Sequence, residues 1–149
     1  MITDPDSLPR QNRGRQIDVI AAISLGGALG TLARYAIAVE FPVAPRQIPW
    51  STLIVNLSGS FLIGIVMFLV LRGSSNRFLR PFLVIGVLGG FTTFSTFAVE
   101  SVELVRDRPL IAMIYLVISV IGGALSVLVG STVVGRIFNR SIDSPQTRS

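Results

Sequence analysis

Apolar residues fall into four long runs, at about residues 17–39, 51–71, 81–105 and 110–137, separated by short polar stretches. Roughly 20 apolar residues suffice for a helix to cross a hydrocarbon layer about 30 Å thick, at about 1.5 Å per residue. All four runs reach that length, and the second carries no charge from Ser51 to Leu71. The fourth has none from Leu110 to Gly135, more than a span needs, so it tilts or projects. The connections read as turns. Pro42, Pro45 and Pro49 precede Trp50, which suits an interfacial anchor, and residues 72–77 and 106–109 are polar and basic. The pattern predicts an all-α integral membrane protein, a single four-helix domain over 17–138. A flexible polar tail, 1–16, precedes it, and a polar tail, 139–149, follows. Nothing in the first 16 residues resembles a signal peptide.

The third run breaks the helical pattern from within. Its centre reads Gly89-Gly90-Phe91-Thr92-Thr93-Phe94-Ser95-Thr96-Phe97. Paired glycines and β-branched threonines make a poor helix interior. In a helix starting at Pro81, residues 89–96 lie about 12–20 Å along, the middle of a bilayer core. Irregular backbone at that depth is tolerated where protein buries it or where it lines a polar cavity. The segment is therefore either a badly placed helix or a break that carries a site.

Composition narrows the chemistry. Half of the 149 residues are hydrophobic, 14% are charged, and the mean hydropathy is +0.69. Cysteine and histidine are absent, which removes thiolate chemistry and the commonest general base and metal ligand. No carboxylate lies in the central part of a run; Asp18 opens the first, and Glu100 and Glu103 approach the opposite interface at the end of the third. All 13 basic residues are arginine, scattered over helix ends and not gathered into a nucleic-acid patch. With four spans, Arg10, Arg13, Arg15, Arg72, Arg77, Arg80, Arg136, Arg140 and Arg148 share one side, and Arg34, Arg46, Arg106 and Arg108 the other. That bias of nine to four favours cytoplasmic termini.

What remains inside the spans is uncharged and polar. Asn56 has to face protein or water, either in a helix–helix hydrogen bond or as an amide donor lining a pathway. Thr92, Thr93, Ser95, Thr96, Tyr115 and Ser119 supply hydroxyls, with Tyr115 and Ser119 four apart on one face. Phe94 and Phe97 share a face if that segment is helical. They either pack against lipid and helix or turn positive ring edges toward an anion. Carbonyls freed at a Gly-Gly break suit a cation such as Na⁺. Arg34 either snorkels to the interface or faces the protein interior. Gly26 and Gly30, and likewise Ser60 and Gly64, place small residues four apart for close helix contact.

The central motif followed by Glu100 resembles the signature of the CrcB/Fluc family of fluoride channels. The first run, ending in Arg34-Tyr35, resembles that family's Gly-rich first helix. Pro49 through Gly64, with Asn56-Leu57-Ser58-Gly59, resembles its second. The likeness covers about residues 19–135. It implies four-helix subunits whose third helix is broken at mid-membrane, assembled as an antiparallel, dual-topology dimer in the cell membrane. It implies passive, selective export of cytoplasmic fluoride through pores at the dimer interface. It also implies a structural Na⁺ at the dimer centre, held by the backbone carbonyls of Gly89 and Thr92. By motif position the pore phenylalanines are Phe94 and Phe97 and the pore amide is Asn56. Ser95 and Thr96 join the anion path, and a hydroxyl track starts at Tyr115 and Ser119. Arg34 takes a structural or electrostatic role. Where family members can carry a further hydroxyl, this chain has Gly123.

The arginine bias leaves the partner open: a homodimer inserted both ways, or a heterodimer with an oppositely oriented paralogue. Two other classes compete. A proton-coupled small-multidrug-type exporter would want a carboxylate near the centre of the first helix, where this chain has none. A membrane scaffold would use the small-residue faces for assembly alone.

Overall fold

The computed structural model describes residues 11–44, 47–71 and 77–142. Four helical spans run where the apolar pattern lies. Helix α1 covers Gln11–Glu40 and α2 covers Trp50–Leu71. The third span has two parts: α3, which is π-helical over Pro81–Leu88 and closes with a single α-turn over Gly89–Phe91, and α4, Ser95–Asp107. Helix α5, Pro109–Ile142, is the fourth span. All four are long and apolar enough to cross a membrane. Helix α1 begins at Gln11, inside the stretch expected to be tail, because a helix can run on past its apolar part into water. Residues 1–10 and 143–149, the rest of the two expected tails, lie outside the described residues.

Prolines set two of the starts. Pro81 and Pro109 each occupy a first helical position, where the missing N–H has no partner to lose. Arg108, ahead of Pro109, is pushed out of the helical region to φ −147°, ψ 71°, which turns the chain between α4 and α5.

The helices pack as two close pairs, α1 with α3 and α2 with α5. Glycines bring both pairs to backbone contact. A Cβ on Gly26 would stand 2.5 Å from the Phe82 carbonyl oxygen, and one on Gly86 2.8 Å from that of Ile23. Across α2 and α5, a Cβ on Gly64 would collide with the Val127 carbonyl and one on Gly130 with that of Phe61. The third span changes neighbours at its interruption: α3 lies on α1, whereas α4 lies on α5. A small core of Leu53, Leu104, Ala112 and Tyr115 fills the junction of α2, α4 and α5, with Leu57 and Phe97 against it. An ion pair between Asp18 and Arg77, 3.6 Å apart, ties α1 to the approach of α3.

The outer faces are overwhelmingly apolar. Ile17, Ile20, Leu25, Leu32, Val99, Val102, Leu110, Val120 and Leu128 are all exposed. That surface far exceeds the patches of a few hundred Å² that water-soluble monomers carry, and it fits a lipid environment.

Candidate functional site: the interruption of the third span and its groove

Helix geometry ends at Phe91, and Thr92 turns extended at φ −76°, ψ 157°. The turn is locked from several sides. Thr92 donates to the Leu88 carbonyl from its N–H at 2.9 Å and from its hydroxyl at 2.8 Å. The methyl of Thr92 occupies the space that a Cβ would take at Gly59 on α2. The Asn56 amide takes both backbone groups of Thr93: its Nδ2 donates to the Thr93 carbonyl and its Oδ1 accepts the Thr93 N–H, each at 2.9 Å. The Thr93 hydroxyl donates to Thr96 Oγ1 at 3.0 Å and accepts the Thr96 N–H at 3.2 Å, capping the start of α4. Without Asn56, Thr93 would leave a donor and an acceptor unpaired in an apolar setting, at a cost of about 1–3 kcal/mol each.

A groove of about 310 Å³ opens beside this turn, lined by Asn56, Ser60, Thr92, Thr93, Phe94, Phe97 and Ser119 among others. It gathers Asn56, Phe94, Phe97 and Ser119 from three elements. Phe94 is 80% exposed and projects from the surface, its ring centroid 6.0 Å from that of Phe97. Ser119 Oγ is buried without a hydrogen-bond partner. Buried hydroxyls are rarely left so. An amide carries two N–H donors, and Thr93 takes one, so Asn56 keeps a second.

The other expected residues lie around this groove. Tyr115 is fully buried, its ring centroid 5.3 Å from Phe97. Ser95 is exposed and meets the Thr93 hydroxyl at 3.4 Å. Thr96 and Arg34 line a second cavity of about 470 Å³, together with Thr31, Thr52, Thr93 and Glu100. Arg34 thus faces a cavity between α1, α2 and α4. Gly89 is exposed near the end of α3, and Thr92 follows Phe91 at the turn itself. Helix C-termini leave carbonyls without intrahelical partners, and these are hard oxygen donors at the negative end of a dipole.

Glu100, expected toward the opposite interface, is tied into the junction of three helices. Its carboxylate accepts the Thr52 hydroxyl at 2.9 Å and the Tyr115 hydroxyl at 2.8 Å, bridging α2, α4 and α5. It also lines a further cavity of about 670 Å³ with Gln47, Glu103 and Arg106. Its position near the end of the run pointed to an interface and named no partner for it. The signal for its partners was periodicity, since Glu100 lies three residues after Phe97, on the same face of α4.

Together these features define a multi-pass membrane protein with an interrupted third span and a donor-rich groove beside it. The chain matches the family described as CrcB-like protein, Camphor Resistance (CrcB), over residues 21–131, and it belongs to that family. It is 43% identical over 115 residues to the fluoride-specific ion channel FluC 2 of Nocardia farcinica, covering 76% of this chain and 82% of that one. It is 39% identical to the FluC of Methylobacterium radiotolerans, over 74% of this chain and 80% of the relative. Against FluC 2 of Thermobifida fusca the identity is 36%, across 87% of this chain and 97% of the relative.

Proposed function

We propose that this protein is a fluoride-specific channel of the cell membrane, not an enzyme, and that it lets cytoplasmic fluoride leave passively. The names of its relatives support the ion. The observation that carries the pathway is the buried, unpartnered Ser119 hydroxyl in a groove shared with Asn56, Phe94 and Phe97. Hydroxyl, amide and ring-edge donors replace water around a small anion without the tight hold of a fixed cation. Hydrogen fluoride enters acidified cells neutral and ionises inside. The inside-negative potential then favours exit of the anion.

In this reading the interruption lies at mid-membrane, and the groove closes into a pore against a second, inverted subunit. Two features support the pairing. Phe94 beside the groove and Gly89 near the end of α3 are exposed, and a single chain covers neither. A Na⁺ at the dimer centre fits the carbonyls of Gly89 and Thr92, which end a helix and provide oxygen ligands alone. It would supply positive charge and hold two interruptions together. Ser95, Thr96, Tyr115 and Arg34 flank the path, with Arg34 setting the electrostatics of the adjoining cavity.

The second reading, a proton-coupled small-multidrug-type exporter, draws on Glu100, a carboxylate held between helices beside two cavities. One experiment separates the two. Purified protein in liposomes loaded with fluoride should empty them when a potassium ionophore balances charge, without an imposed proton gradient. Absence of fluoride efflux from folded, correctly paired protein overturns the channel; drug-driven proton movement in its place establishes the exporter.

A further inference from the structure

Helix α5 presents Tyr115 and Ser119 at four-residue spacing, and one turn on the series stops at Gly123. We propose that Ser60 of α2 takes over at that level as an anion-contacting hydroxyl, so that the donor track crosses from α5 to α2. The proposal rests on the anion path described above.

Three observations carry it. First, Ser60 lines the same groove as Asn56 and Ser119. Second, its hydroxyl occupies the level vacated on α5: a Cβ built on Gly123 would stand 3.6 Å from Ser60 Oγ, an ordinary van der Waals contact. Third, the two helices hold their registers side by side. Gly122 faces Leu57, Gly123 faces Ser60, and Gly64 faces Val127, so the two helices run in the same direction. Asn56 and Ser60, four apart, share one face of α2 as Ser119 and Gly123 share one face of α5.

The behaviour of the other serines sharpens the point. In a dry helix a serine hydroxyl commonly bonds back to a carbonyl of the preceding turn. Ser58, Ser101 and Ser131 do so at 2.6, 2.7 and 2.9 Å. Ser119 does not, although its oxygen is buried. Ser119 thus withholds its hydroxyl from its own helix inside the groove, and Ser60 lines the same space. Glycine at 123 leaves room for a side-chain Cβ and carries no hydroxyl, and serine at 60 supplies the donor that glycine lacks.

The test is a second-site rescue, read as fluoride efflux from liposomes. S60A should lower flux about tenfold, the scale of one lost hydrogen bond to a charged group. Its elution in detergent and its melting temperature should stay those of the parent. Adding G123S to S60A should restore flux, because the hydroxyl returns from the α5 side into space the structure leaves open. Parental flux in S60A overturns the proposal, and so does a folded S60A/G123S protein that conducts no better than S60A. A correctly paired parent protein that passes no fluoride removes the channel reading itself, a different outcome from either.

Discussion

Asn56 and Thr93 form a two-bond clasp. One side-chain amide pairs with both the N–H and the carbonyl of a single non-helical residue, at 2.9 Å each. In a sheet the neighbouring strand would do this; here a side chain of α2 substitutes for it. Asn56→Ala leaves both Thr93 groups unpaired. The expected loss is about 2 kcal/mol or more, read as a fall in the detergent-solubilised melting temperature together with fluoride flux. Asn56→Asp keeps an acceptor for the N–H but sets a negative oxygen against the Thr93 carbonyl, so it should rescue neither. An N56A protein that melts like the parent would show that the turn is held elsewhere.

Phe94 and Phe97 differ in what they hold. Phe97 packs against Tyr115 and the small core, whereas Phe94 touches little of its own chain. Phe94→Ile should therefore cut flux without lowering the melting temperature. Phe97→Ile should cut flux and also destabilise, by roughly 1 kcal/mol for lost ring packing. Parental flux in both variants would remove the two rings from the anion path.

The Glu100 carboxylate accepts hydroxyls from α2 and α5, so its partners are coupled through it. A double-mutant cycle on Tyr115→Phe and Glu100→Gln should return a coupling energy of about 1–3 kcal/mol in thermal or denaturant unfolding. Additive effects would mean that the two groups meet without stabilising one another.

Much of this was readable along the chain. The apolar runs place the four spans because length and absence of charge are one-dimensional properties. The Gly-Gly-Phe-Thr-Thr motif announces its own interruption because glycine and threonine are poor helix formers. Asn56 reads as a polar residue in need of a partner, but the partner is a backbone 37 residues away, and no local pattern names it. Glu100 reads as terminal, because its bonding to Thr52 and Tyr115 exists only once three helices meet. Ser60 reads as a small packing residue. Only the position of Gly123 on another helix gives its hydroxyl a role.

The glycines offer a sharp contrast of their own. Gly64 and Gly123 both lie on the contact between α2 and α5. A methyl group at 64 would strike the Val127 carbonyl, whereas one at 123 meets Ser60 Oγ at 3.6 Å. Gly64→Ala should push the helices apart and cost about 1–3 kcal/mol as overpacking. Gly123→Ala should hold or raise the melting temperature, since alanine favours a helix over glycine by about 1 kcal/mol. Equal melting temperatures for the two variants would contradict the packing register.

The arginine distribution bears on the partner. A chain that inserts equally in both orientations should carry little charge bias between its loops, yet this one places nine arginines on one side against four. If the groove closes only against an inverted subunit, a chain held to one orientation cannot close it with its own copies. The expected outcome is that this chain expressed alone gives weak fluoride efflux, and that a paralogue of opposite bias restores it. Single cysteines placed at residues 72–76, in a chain that has none of its own, would report the orientation by their accessibility to an impermeant thiol reagent. Robust efflux from the chain alone, with half of those cysteines labelled from each side, would show that it inserts both ways and needs no second gene product.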